Sequence, residues 1–233
     1  MRSFYEVKFM ISAIVVAAGS GRRMGCKKQF MTIFGAPLIS YTLTVFQESE
    51  ADEIILVTAE EDMKKMQKIA EEYGISKLIA IVPGGAERSD SVMSGLSSAS
   101  GEFVLIHDGA RPFIKTEEIS EAISAVKKYD AICLGYPVKD TIKITDSDGY
   151  IKSTPERSSL FAAATPQCFR TELIKSAYEK IKHDGIRVTD DSSAVEYGGT
   201  KVKIIPCSYE NIKITTPEDA AAAEAIIKRR NEK

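Results

Sequence analysis

Ala13-Ile-Val-Val-Ala-Ala-Gly-Ser-Gly-Arg-Arg-Met-Gly-Cys-Lys-Lys28 is the stretch from which the fold is read. Residues 13–18 form an uninterrupted apolar run, the length of a strand buried on both faces. The run breaks into Gly19, Gly21 and Gly25, with Arg22, Arg23, Lys27 and Lys28 threaded among them. Glycine lets backbone N–H groups approach an anion closely, and the cations supply the charge a polyphosphate needs. The loop lacks the G-x-x-x-x-G-K-[ST] pattern of a P-loop, and Met24 stands where a dinucleotide fingerprint has its third glycine. A phosphate that must be neutralised as well as cradled suits it best. A tight strand-to-helix turn with solvated basic residues is the plainer alternative.

Outward from this loop, strand and helix patterns alternate. Strands are expected at residues 53–58, 78–82, 103–106, 131–137, 159–164, 201–205 and 211–214, with a break at Thr165-Pro166-Gln167. Helices are expected at 37–46, 62–73, 88–99, 116–128, 171–181 and 217–229, with a helical turn at 194–198. This rhythm gives βαβ units and an α/β fold: a doubly wound, mostly parallel sheet of Rossmann-like kind. Residues 138–155 interrupt it. Their period-two alternation around Asp146-Ser-Asp-Gly149 reads as an inserted β-hairpin arm. A lone hairpin is marginal in water, so the arm packs on its own domain or on a second subunit. Its apolar residues have no obvious covering helix, which favours a homodimer.

The chain has 233 residues, 44% hydrophobic, and suits one domain over residues 11–233, with residues 1–10 a short leader outside the fold. A formal net charge of −2 argues against a nucleic-acid partner. No stretch approaches ~18 uncharged apolar residues, so no membrane span is expected. The four cysteines (Cys26, Cys133, Cys168 and Cys207) lie far apart without a C-x-x-C pair. That points to free thiols, a reducing cytoplasmic setting and no structural zinc.

A second constellation is His107-Asp108-Gly109-Ala110-Arg111-Pro112. A carboxylate at the carboxyl end of a strand sits where open α/β sheets bind ligands. Asp108 is suited to hold Mg²⁺ against phosphates, because magnesium takes one or two carboxylates plus phosphate oxygens; a turn cap is its plainer role. Arg111 either reaches the same anion or pairs with Asp108. His107 reads as a satisfied core histidine. Gly84-Gly85-Ala86-Glu87-Arg88-Ser89-Asp90-Ser91, Thr165-Pro166-Gln167, Val188-Thr189-Asp190-Asp191 and Asn211-Ile212-Lys213 add polar groups beside strand ends. Many anion donors and few bases fit phosphoryl or nucleotidyl transfer, in which positioning and charge neutralisation dominate.

These motifs, with Lys28-Gln29 and Asp140-Thr141, stand in the order found in one family. The chain closely resembles the 2-C-methyl-D-erythritol 4-phosphate cytidylyltransferases over roughly residues 11–229; the glycine loop alone marks only the wider sugar-nucleotidyltransferase class. The resemblance implies that CTP and methylerythritol phosphate react with Mg²⁺ to give CDP-methylerythritol and pyrophosphate. It implies that Arg23 and Lys28 stabilise charge on the α-phosphate and leaving group, and that Arg157 and Lys213 hold the acceptor, helped by Thr141 and Thr189. It further implies a nucleotide site of Ala17, Ala18, Gly19, Gly21, Gly84, Gly85, Arg88 and Ser91. Asp108 (the metal ligand), Arg111 and Thr165 join the substrate residues. The hairpin becomes a dimer arm, so that Thr141 and Arg157 serve the partner's site. Lys27 replaces a frequent proline, leaving open whether Lys27 or Lys28 meets the phosphate. A ribitol-5-phosphate cytidylyltransferase shares much of the pattern, and a non-catalytic nucleotide sensor is the rival from another class.

Overall fold

The computed structural model describes residues 9–19 and 27–232. Seven strands form the main sheet: β1 (Ile11–Val16), β4 (Glu53–Thr58), β5 (Leu78–Pro83), β6 (Phe103–Asp108), β7 (Ala131–Pro137), β10 (Phe161–Arg170) and β11 (Lys203–Pro206). Two small ribbons, β2 (Thr32–Ile33) with β3 (Ala36–Pro37) and β8 (Ile144–Thr145) with β9 (Ile151–Ser153), lie outside it. The sheet order is β11-β7-β10-β6-β1-β4-β5. All neighbours are parallel except β10, which runs antiparallel between β6 and β7.

Helices cover both faces, as the βαβ rhythm requires. Along β1, Ala13, Val15 and Ala17 point to the face covered by α1 (Leu38–Glu48), α2 (Met63–Glu72) and α4 (Thr116–Tyr129). Ile14 points to the other, beneath α3 (Arg88–Leu96), α5 (Thr171–Asp184) and α6 (Asp191–Tyr197). A helix approaches the sheet closely at Gly95, where a Cβ would stand 2.5 Å from Ile14 Cγ2. The last helix, α7 (Pro217–Asn231), packs Ala223 and Ile227 on Ile33, Leu38, Phe113 and Ile214. Strands buried on both faces explain why β1, β4 and β6 read as continuous apolar runs. Among the described residues, no helix is long and apolar enough to cross a membrane.

Four sequence expectations change. Thr165-Pro166-Gln167 is no break: it lies inside β10, whose residues 164–169 are all buried. The Thr165–Pro166 peptide is cis, and the register against β7 shifts between Ala163 and Gln167. That irregularity is how a proline, which lacks an N–H for the ladder, fits a central strand. Residues 211–214 form no strand; they run as an irregular segment whose Ile214 N–H donates to Ala110 O (2.8 Å). The helix begun at Arg88 stops at Leu96 rather than Ala99. Phe9, placed by sequence in the leader, lies edge-on against Phe103 with centroids 5.6 Å apart; residues 1–8 lie outside the described residues. The 138–155 hairpin is present with a short ladder, and residues 139–154 are exposed throughout.

Candidate active site

The carboxyl ends of β1, β4 and β6 finish level, with Val16 opposite both Val57 and Asp108. The loops that follow are stitched to the strand ends: Ala17 N–H donates to Val57 O (2.7 Å), Gly84 N–H to Thr58 O (2.8 Å) and Gly109 N–H to Val16 O (2.9 Å). A Cβ on Gly84 would lie 2.4 Å from Ala18 Cβ and 2.8 Å from Ser91 Oγ, so only glycine lets these loops touch. Gly85 N–H donates to Ser91 Oγ (3.1 Å), and the Ser91 hydroxyl donates to Glu87 O (3.2 Å). Ala17, Ala18, Gly84, Gly85 and Ser91 are thereby brought together, with Gly19 exposed beside them. Gly21 and Arg23 lie outside the described residues. Lys28 opens a 3-10 turn, Lys28–Phe30. Lys27 Nζ donates to Glu61 Oε1 (2.9 Å) and Asp62 Oδ2 (2.7 Å), so two carboxylates ahead of α2 hold it.

Asp108 ends β6 on the sheet face covered by α3 and α6, and it is 8% exposed. Three cations converge on its carboxylate. Lys213 Nζ lies 2.6 Å and Arg111 Nε 3.9 Å from Oδ2, while Arg88 Nε and Nη2 donate to Oδ1 at 3.4 Å. Burial disfavours the charged carboxylate, but Arg88, Lys213 and Arg111 outweigh it and hold Asp108 below the usual carboxylate range. Arg88 is committed elsewhere too. Its Nη1 and Nη2 donate to both oxygens of the fully buried Asp191 (2.7 and 2.8 Å), and the Tyr178 hydroxyl donates to Asp191 Oδ1. The guanidinium expected in the CTP site thus bridges Asp108 to α6. Together these groups hold one cation more than carboxylates, which suits an anionic ligand.

Thr165 and Gln167 are buried. Thr165 Oγ1 accepts the Asp108 N–H (3.0 Å). Gln167 Nε2 donates to Asp190 Oδ2 (2.7 Å), and its Oε1 accepts the Ser192 N–H (2.8 Å), which pins the start of α6. Asp190 caps that helix by accepting the Ser193 N–H (2.9 Å). Thr189, just before the cap, is exposed, with its hydroxyl 3.4 Å from Ser193 Oγ. Burial drives the His107 pKa down to about 4, which keeps its ring neutral, and its Nε2 lies 3.0 Å from Arg111 O. Because a carbonyl only accepts, Nε2 carries the proton and Nδ1 accepts from the Thr165 hydroxyl (3.1 Å).

Thr141 and Arg157 are exposed on the arm and its root; Arg157 Nη1 donates to Lys139 O (3.2 Å). Among the described residues, no hydrogen bond or ion pair joins either one to the Asp108 cluster. Glu210 pairs with Arg229 and Arg230 on α7 and with Lys115. Sequence reading missed Tyr178 and, though it placed Asp191 in a polar motif, gave it no role of its own. Tyr178 sits on the apolar stripe of α5 and reads as core, and Asp191 carries only the signal of an acidic pair ahead of a helix.

Set beside known proteins, residues 11–229 match the family model of 2-C-methyl-D-erythritol 4-phosphate cytidylyltransferase (IspD). The chain is 45% identical over 223 residues to the enzyme of that name from Clostridium botulinum, covering 94% of this chain and 97% of the relative. To the one from Clostridium acetobutylicum it is 45% identical over 225 residues, covering 94% and 98%. Among solved structures, 4-diphosphocytidyl-2C-methyl-D-erythritol synthase from Anaerococcus prevotii superposes with a TM-score of 0.86 at 37% identity, covering 94% of this chain and 96% of that one.

Proposed function

The chain belongs to the 2-C-methyl-D-erythritol 4-phosphate cytidylyltransferase family, and from that premise we propose how its residues divide the work. The reaction transfers CMP from CTP to methylerythritol phosphate in isoprenoid synthesis. An acceptor phosphate oxygen attacks the α-phosphorus, a new P–O bond forms, and the bond to the β-phosphate breaks so that pyrophosphate leaves with the electron pair. No proton need move at the reacting atoms, so the chain's task is to orient two anions and spread their charge.

The cytidine and triphosphate lie over Ala17, Ala18, Gly19, Gly21, Gly84, Gly85 and Ser91. Arg23 and Lys28 stabilise charge on the α-phosphate and the leaving group. Lys28 takes this role, as the family resemblance implies, while the Lys27 ammonium binds Glu61 and Asp62. Lys213 and Arg157 hold the acceptor phosphate, with Thr141 and Thr189 beside it. Arg111 and Thr165 fix the ground beneath it, and Arg88 orients Asp108 from the Asp191 side. The observation that carries this reading is the Lys213 ammonium, 2.6 Å from Asp108 at the end of β6 and free to exchange that carboxylate for a phosphate.

Mg²⁺ fits the same place. The Asp108 carboxylate is anionic, and its Oδ1 makes only the long 3.4 Å contacts with Arg88. Among the described residues, no cluster of three His, Cys, Asp or Glu could hold a metal unaided. One carboxylate supplemented by phosphate oxygens is the arrangement magnesium accepts. When bound, the ion neutralises triphosphate charge. The enzyme works as a cytoplasmic homodimer, with the arm of one subunit lying against the other. Ile142, Ile144, Tyr150 and Ile151 support this, being exposed on the arm, as do the free thiols of Cys133, Cys168 and Cys207. In steady-state kinetics with both substrates varied, Lys213→Ala should raise KM for methylerythritol phosphate at least ~10-fold and leave KM for CTP within about twofold. Equal change in both constants would remove Lys213 from the acceptor site.

A further inference from the structure

Four side chains close a buried circuit beneath the cleft. His107 Nε2–H donates to Arg111 O (3.0 Å), Arg111 Nη1 to Asn211 O (2.7 Å), Asn211 Nδ2 to Thr165 O (2.8 Å), and the Thr165 hydroxyl to His107 Nδ1 (3.1 Å). His107 and Asn211 are 0% exposed, so neither can touch a substrate lying in an open cleft. The circuit joins three segments distant in sequence: the end of β6 with the turn after it, the interior of β10, and the irregular run that carries Lys213.

That run is where the circuit is needed. Residues 211–214 belong to no strand, so no ladder fixes them. Lys213 sits between two anchors, Asn211 on one side and the Ile214 N–H to Ala110 O bond on the other. Asp108 hangs from the same framework, because its N–H is accepted by the Thr165 hydroxyl that also serves His107. One hydroxyl thus couples the carboxylate's backbone to the circuit. Among the described residues, two buried polar atoms on the circuit, Asn211 Oδ1 and Arg111 Nε, have no hydrogen-bond partner. An arrangement kept for stability alone would be better served by apolar side chains of the same shape.

We propose that His107 and Asn211 are positioning residues for the acceptor half of the reaction, setting the Lys213 ammonium against the Asp108 carboxylate. This inference rests on the assignment of Lys213 to the acceptor phosphate. It gives a role to the histidine that sequence reading leaves as core filling. His107 packs its ring on Phe46, with centroids 5.1 Å apart. His107→Phe therefore keeps an aromatic ring in that place and removes both hydrogen bonds, while Asn211→Leu keeps the same branched heavy-atom skeleton and removes the donor to Thr165.

The test is two-substrate steady-state kinetics on the full-length enzyme, with melting temperature recorded for each variant. Either substitution should raise KM for methylerythritol phosphate roughly 10-fold and leave KM for CTP within about twofold. In a Lys213→Ala background the same substitution should add less than about twofold, since nothing remains to be positioned. Asn211→Leu is the second variant should His107→Phe not fold. A lower melting temperature with both KM values unchanged, or equal rises in both, overturns the inference while the Lys213 assignment stands. An unchanged acceptor KM in Lys213→Ala alone overturns that assignment and, with it, this inference.

Discussion

Replacing Asp191 by alanine should destabilise the enzyme more than any single surface change, and the reason is local. The carboxylate is fully buried, accepts both terminal nitrogens of Arg88 at 2.7 and 2.8 Å, and also accepts the Tyr178 hydroxyl. Asp191→Ala leaves a buried hydroxyl without its acceptor and a guanidinium whose remaining carboxylate, Asp108, is 3.4 Å away. Removing one partner of a buried ion pair costs about 3–5 kcal/mol. Water reaches 30% of the Arg88 side chain, so the low end applies, about 3 kcal/mol. For a chain of this size that lowers Tm by roughly 6–12 °C. The assay is urea unfolding followed by circular dichroism, read as a shift in midpoint at constant slope. A double variant, Arg88→Met with Asp191→Leu, should recover most of the loss, because an apolar pair leaves no charge uncompensated. A loss below about 1 kcal/mol for Asp191→Ala, or a double variant no more stable than the single, would refute the reasoning.

Lys28→Ala should lower kcat at least ~10²-fold with a smaller change in CTP affinity, while Lys27→Ala, which loses only the Glu61 and Asp62 contacts, should stay near wild type; the reverse ranking would reassign the loop. Deleting residues 142–152 should give a monomer in sedimentation velocity, and an intact dimer would dispose of the arm hypothesis. Burial pushes the Cys133 and Cys207 thiols up to about 11 from 9.0. Both should therefore resist iodoacetamide near neutral pH until the chain is unfolded, and stoichiometric labelling of Cys133 or Cys207 in the native enzyme, located by peptide mapping, would contradict the burial. The raised folded-state pKa values stabilise the protein below the unfolded thiol value and are lost as pH rises, because the unfolded chain gives up its thiol protons first. The urea midpoint should fall between pH 9 and about 11, and a flat midpoint there would remove the thiols from the account.

Much of this architecture could be read from residues because its signals are local. The apolar run before Gly19 and the carboxylate at the end of β6 follow from strand length and glycine chemistry, and the structure brings the Ala17–Ala18 and Gly84–Ser91 groups together. What could not be read depends on partners distant in the chain. Pro166 in a central strand looks like a stop until the register shift against β7 is known. Residues 211–214 alternate like a strand, yet the Arg111 side chain just past β6 and the Thr165 backbone carbonyl in β10 hold them. Arg88 resembles a phosphate-binding arginine, and only the fold reveals the buried Asp191 it grips from 103 residues away. His107 gives no sign of its two hydrogen bonds, because a histidine in an apolar run looks the same whether it fills space or bridges loops.

The measurement that bears most directly on the central claim is pyrophosphate release from the purified enzyme with a panel of substrates. CTP, UTP and ATP would each be supplied with methylerythritol phosphate and, separately, with ribitol 5-phosphate. The account predicts Mg²⁺-dependent release that requires CTP and methylerythritol phosphate together, with CDP-methylerythritol as the co-product. Equal or faster turnover with ribitol 5-phosphate, or CTP binding without release under any combination, would contradict it.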